Sequence, residues 1–195
     1  MKISLIALVF LFLTTSAFAQ DDYAYTQGSS TISAGYGVGN IWKKLFKLSA
    51  SFSGGTNKVS ATGPFTLIYE YGFSDKISAG VAFGYSNVKS DYDDGAGDKY
   101  SESLRNISAI VRANYHFGSS EKLDPYVGLG IGYYNFKYGY DDNSGTPMEN
   151  FAIPTALGYS AQLGAKYYFS SSIGVFAEVG YVAGSYGQVG ITARF

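Results

Sequence analysis

Leu157-Gly158-Tyr159-Ser160-Ala161-Gln162-Leu163-Gly164-Ala165-Lys166-Tyr167-Tyr168-Phe169 alternates between two kinds of side chain along its length. Leu157, Tyr159, Ala161, Leu163, Ala165, Tyr167 and Phe169 fall on one side, with Gly158, Ser160, Gln162, Gly164, Lys166 and Tyr168 on the other. A period of two is the pattern of a strand with one apolar and one small or polar face.

Moving outward from this stretch, the same alternation recurs. Phe65, Leu67, Tyr69, Tyr71 and Phe73 oppose Thr66, Ile68, Glu70 and Gly72. Ile77 to Tyr85 repeats the pattern, as do Ile107 to Phe117, Val127 to Tyr133, Ile173 to Tyr181 and Val189 to Phe195. Ile32, Ala34, Tyr36 and Val38 form the weakest apolar row. With the opening stretch these make eight strands. An even count keeps both chain ends on one side, as single-chain bacterial barrels require.

Period two also describes a secreted β-sandwich wetted on one face. Two features favour a barrel. Every second strand closes alike, in Tyr71-Gly72-Phe73, Tyr115-His116-Phe117, Tyr167-Tyr168-Phe169 and Ala193-Arg194-Phe195. Rings at one level suit a membrane–water boundary, because one end of an aromatic prefers hydrocarbon and the other tolerates headgroups. Tyr71, Phe73, Tyr115, Phe117, Tyr167, Phe169 and Phe195 are therefore the expected periplasmic girdle. The connections also alternate in length. Short turns at Ser74 to Lys76, Gly118 to Asp124 and Ser170 to Ser172 face longer loops at 40–62, 92–99 and 140–153. That is the barrel pattern, from which the short connection at Ala183 to Gly187 departs.

The start of the chain points to export. Lys2, the apolar run Ile3 to Phe12 and Ala17-Phe18-Ala19 fit a cleaved secretory signal over residues 1–19, with 20–195 as the barrel domain. Without Lys2, the 14 basic residues become 13 against 15 acidic ones, which gives no support for nucleic-acid binding. The chain has no cysteine, so no disulfide framework exists, and no stretch after the signal is long and apolar enough for a membrane helix. The reading is all-β: an eight-stranded antiparallel up-and-down transmembrane β-barrel in the outer membrane.

The Ala17-Phe18-Ala19 signal end, the aromatic strand ends, the turn Tyr69 to Lys76 and the terminal Arg194-Phe195 resemble the OmpA/OmpX-like outer-membrane barrel superfamily, in particular its short outer membrane protein beta-barrel domain members. The resemblance covers the mature chain. It implies fold and location rather than an activity, since the superfamily holds adhesion, structural and enzyme members. It further implies that Phe195 belongs to a C-terminal signal read by the barrel-assembly machinery, and that no peptidoglycan-binding domain follows.

An eight-stranded barrel has room inside only for its own side chains. Glu70, Arg112, Lys166, Glu178 and Arg194 point inward by parity, and buried charges must pair. They are expected to form a lumenal charge network, either structural or lining a gated ion path. His116, the only histidine, faces the lumen at the periplasmic end, away from the outer leaflet where lipid A chemistry would occur. No nucleophile–base pair is evident, so the protein is read as non-enzymatic and without cofactors. Asp91 to Glu102 matches a calcium loop only in part, with Gly95 at a ligand position and Ala96 where the turn glycine belongs; Asp141 to Gly145 is similar. Both read as solvated loops capable of weak divalent bridging to lipopolysaccharide. Ile41 to Leu48 holds the only Trp and three lysines. It is either an interfacial amphipathic turn, with Ile41, Leu45 and Leu48 on one face, or a structured first loop or extension of strand one. The expected partners are outer-membrane lipid, lipopolysaccharide and an unidentified surface partner. The expected role is structural or surface-interacting, with a narrow channel for small or apolar solutes as the alternative.

Overall fold

The computed structural model describes residues 23–52, 56–93, 99–142 and 151–195. The expected export signal lies outside them. The elements are β1 (Ser30–Asn40), α1 (Ile41–Phe52), β2 (Thr56–Gly72), β3 (Ile77–Asp93), β4 (Lys99–His116), β5 (Leu123–Asp142), β6 (Phe151–Tyr168), β7 (Ile173–Val182) and β8 (Ser185–Arg194). Each strand pairs antiparallel with its sequence neighbours, and β8 closes on β1 through Thr31↔Arg194 to Asn40↔Ser185. The sheet is a closed up-and-down barrel.

Its hydrophobicity is inverted relative to a water-soluble protein. Leu67, Val111 and Leu157 are 53%, 60% and 70% exposed, whereas Arg112, Glu70 and Glu178 are 2%, 3% and 2% exposed. Such an arrangement lowers the free energy only when hydrocarbon surrounds the wall, which removes the β-sandwich. Tyr71, Phe73, Tyr115, Phe117, Tyr167 and Phe169 all face outward at the strand ends beside the short turns. Phe195 sits at the same rim, where its backbone exchanges two hydrogen bonds with Ser30.

The wall has unequal height. β2 to β6 run well past the apolar belt, while β7, β8 and β1 are short and β7 turns into β8 through Ala183 and Gly184. Within the expected loops, residues 56–62, 92–93, 99, 140–142 and 151–153 are strand, because sheet pairing continues past the apolar belt as far as Asp93↔Lys99 and Tyr100↔Asp142. The segment 40–62 divides into α1 and the start of β2. Asn40 caps α1, accepting a hydrogen bond from the Lys43 amide at 3.0 Å. Leu45, Leu48 and Phe52 leave an exposed apolar stripe on it.

One extra residue in β2, between Thr62 and Phe65, exchanges its inward and outward positions. Gly63 makes this bulge possible. Its φ is +80°, and a Cβ there would strike the carbonyl of Tyr85. Above the bulge Lys58 and Ser60 face outward beside Asp91 and Lys89.

Candidate functional site

Four of the five charged residues expected in the lumen come together. Lys166 Nζ lies 2.7 Å from Glu70 Oε2, and Arg112 Nη2 lies 2.5 Å from Glu178 Oε1. Asn114 joins the two pairs. Its amide donates to Glu70, and its oxygen accepts from Arg112 at 3.3 Å and from Gln162 at 3.0 Å. Glu178 also accepts from the Tyr126 hydroxyl at 2.7 Å and from Gln188. Thr31 accepts from Lys166, and Ser78 donates to Glu70, each at 3.3 Å. With Thr31 on β1 and Ser78 on β3, all eight strands contribute a polar group to one connected set built around the Glu70–Lys166 and Glu178–Arg112 pairs. Removing Glu178 or Glu70 leaves a buried cation without its carboxylate, which gives the network leverage over the whole wall.

Arg194 stands apart, contrary to the sequence expectation. It lies at the short-turn rim and donates to the backbone carbonyls of Tyr23 at 2.6 Å and Ser171 at 2.9 Å. Its guanidinium also lies over the Tyr168 ring. Parity predicts the face of the wall but not the height, and at the rim carbonyls are nearer than carboxylates.

The carbonyl of Tyr23 belongs to a segment without sequence signal. Residues 23–29 fold across the end of the barrel that carries the short turns. Ala24 N donates to Ser120 O at 2.8 Å, Gly28 N to Gly72 O at 2.8 Å, and the Tyr25 hydroxyl to Ser74 O at 2.8 Å. The Tyr25 ring stacks on His116, with centroids 3.6 Å apart and planes 5° from parallel. Burial, and then the negative charge of Asp124, push the Tyr25 hydroxyl well above its ordinary range, so it stays a neutral donor.

His116 lies under this segment. Its Nε2 is 2.8 Å from Ser78 Oγ, and its Nδ1 is 2.7 Å from Asp124 Oδ1. The sequence reading found no nucleophile–base pair, whereas the fold brings these three groups from β3, β4 and β5 into hydrogen-bond reach. Ser78, His116 and Asp124 are only 1%, 1% and 2% exposed, and Ser78 also donates to Glu70. The three side chains lie buried beneath the Tyr25 ring.

An apolar cluster occupies another part of the lumen. Ile68, Ala82, Ile110, Phe176 and Tyr134 pack together, with Phe136 and Tyr181 against them. At the outer mouth Trp42 of α1 reaches across to Phe136 on the opposite wall, with centroids 5.0 Å apart. Gly184, at φ +83°, leaves room for the indole, which a Cβ there would meet.

Above the membrane, the extended sheet carries stacked rings on its inner face, Tyr92 on Tyr100 at 4.5 Å and Tyr100 on Tyr140 at 5.6 Å. A cleft of about 360 Å³ lies among Lys58, Asp91, Asp93, Lys99 and Asp141. Lys99 lies 2.8 Å from Asp93, whose hydrogen bond raises the ammonium's pKa. The two candidate calcium segments fall partly outside the described residues. Among those described, no group of three acidic or histidine ligands converges.

A closed antiparallel barrel with an outward apolar wall and a polar interior is the architecture of an outer-membrane β-barrel. Residues 5–193 match the outer membrane protein beta-barrel domain, and the chain belongs to that family. Its fold is similar to the solution structure of outer membrane protein W from Escherichia coli, at 18% identity and a TM-score of 0.50, over 88% of this chain and 100% of that one. The N-terminal barrel domain of OprF from Pseudomonas aeruginosa matches at 18% identity and TM-score 0.43, over 88% and 100% of the two chains. Ail, the attachment invasion locus protein of Yersinia pestis, in complex with the heparin analogue sucrose octasulfate, matches at 17% and 0.43, over 87% and 99%. No curated protein matches the chain in sequence.

Proposed function

We propose that this protein is a closed, non-enzymatic barrel that anchors a β-sheet platform above the outer membrane and presents it to a surface partner. The observation that carries the reading is the filled lumen. The plug of residues 23–29, the network of Glu70, Arg112, Lys166 and Glu178, and the apolar cluster ending at Trp42 follow one another along the barrel. An ion would have to break buried pairs to pass, and an apolar solute would have to displace packed rings. The raised wall of β2 to β6, with its tyrosine stack and the charged cleft that Tyr92 and Tyr100 also line, is the surface left for recognition. In this reading α1 rests at the headgroup level with Leu45, Leu48 and Phe52 toward lipid, and Phe195 serves assembly.

Planar-bilayer recording of the refolded, full mature chain tests the closed state. A flat current trace is expected. Regular discrete steps would instead assign the protein to the narrow channels.

A further inference from the structure

We infer that Arg105 and Lys137 form a clamp for a phosphate group of an outer-leaflet lipid. The two residues are directly opposed on β4 and β5, and both side chains are exposed on the outer face of the wall. Like charges in opposed positions on neighbouring strands repel and destabilise a sheet unless an anion lies between them. No described residue supplies one. The flanking positions are Ser103 and Ile107 on β4, Asn135 and Gly139 on β5, Asn87 across on β3 and, in register with Lys137, Ala152 on β6. Lys89 is different, because Asp91 holds it at 2.9 Å. Among the described residues, Arg105 and Lys137 therefore combine closeness with the lack of a carboxylate.

Their height identifies the missing anion. From the periplasmic girdle at Tyr115, the outward residues of β4 are Ala113, Val111, Ala109 and Ile107, and Arg105 is the first charge. The segment from Tyr115 to Arg105 covers about 33 Å of strand, which at a tilt of about 40° rises about 25 Å. That matches the apolar band of an outer-membrane barrel and puts both cations at the plane of the outer headgroups. A guanidinium offers a planar fork of donors to phosphate oxygens, and an ammonium adds a point charge. The fitting occupant is the phosphate of an anionic lipid whose chains lie against Ile107 and Tyr133 below. The inference goes beyond the platform reading and needs only that the barrel spans the membrane.

Binding of bisphosphorylated lipid A, dephosphorylated lipid A and inorganic phosphate to the refolded, full mature chain in detergent tests the clamp. The phosphorylated lipid is expected to bind more tightly than its dephosphorylated counterpart. At roughly a factor of five per basic residue near a lipid surface, Arg105→Ser with Lys137→Ser should weaken phosphorylated lipid A by about thirtyfold. The same pair should leave the dephosphorylated lipid unchanged, and Lys122→Ser at the periplasmic rim should change neither. Heat-modifiable gel mobility verifies folding, and the single changes Arg105→Gln and Lys137→Gln, at about fivefold each, give the same test should the double variant not fold. Equal affinity for the two lipids, full retention by the folded variants, or an equal loss in Lys122→Ser would overturn the clamp. Displacement of the lipid by micromolar inorganic phosphate would reassign the pair to a soluble anion.

Discussion

The lumen is filled in two ways, and the two parts respond differently to change. One part is a lattice of charges and amides drawn from all eight strands, in which Glu70, Asn114 and Glu178 each hold several partners. The other is an apolar cluster of Ile68, Ala82, Ile110, Phe176 and Tyr134 that continues through Phe136 to Trp42. Hydrogen bonds are directional and leave an unpaired partner when broken, while dispersion contacts are numerous, small and degrade gradually. The polar part should therefore fail abruptly and the apolar part in proportion to the volume removed.

The largest effect is expected at Glu178. Glu178→Ala leaves Arg112 as an uncompensated buried cation, and breaking a buried pair in this way costs about 3–5 kcal/mol. Urea unfolding in lipid vesicles, followed by Trp42 fluorescence, measures it. Replacing both partners by methionine removes the orphan and should recover most of the loss, leaving a remainder from the stranded Tyr126 and Gln188 donors. Equal losses for the single and double variants would mean that the pair acts by shape and not by charge.

In the apolar part, Ile110→Ala removes methylenes without leaving a polar orphan, and a loss of about 2–4 kcal/mol is expected from transfer and cavity terms. A more conservative Ile110→Val should lie near 1 kcal/mol, inside the usual range of about 0.5–1.5 kcal/mol for deletion of one buried methylene. The same unfolding assay checks both. A graded series here beside an all-or-none response at Glu178 is what the two modes of filling require. A steep response at Ile110 would indicate that the cluster is strained or coupled to the charges.

The two parts also differed in how far the sequence reveals them. The wall was readable because lipid outside and protein inside force a period of two on every strand, and Leu67 and Val111 sit on the side their parity indicates. The four central charges were readable by the same parity. Ile68, Ile110 and Phe176 interrupt the alternation as apolar residues at lumenal positions, and with Ala82 and Tyr134 they make up the cluster. They register as exceptions in a linear pattern because what unites them is contact across the barrel. Arg194 followed parity but met backbone carbonyls at the rim. The bulge at Gly63 and the height of the wall were hidden because polar strands above a membrane resemble loops in composition.

Residues 23–29 left no trace in the pattern at all, since a segment held by backbone hydrogen bonds and one stacked ring needs no periodicity. Their role gives the smallest expected effect. Tyr25→Ala removes the stack on His116 and the hydroxyl's bond to Ser74, and an aromatic pair of this kind contributes about 0.5–1.5 kcal/mol. The barrel's unfolding midpoint should therefore move little, because the network and the cluster remain intact. Local opening should change far more. Amide hydrogen exchange at Ala24 and Gly28, whose protons are held by Ser120 and Gly72, should accelerate by roughly tenfold at about 1.4 kcal/mol of lost closure. If those amides keep their protection while the whole barrel weakens as Glu178→Ala does, the segment is part of the lumenal filling and not a separate cover over it.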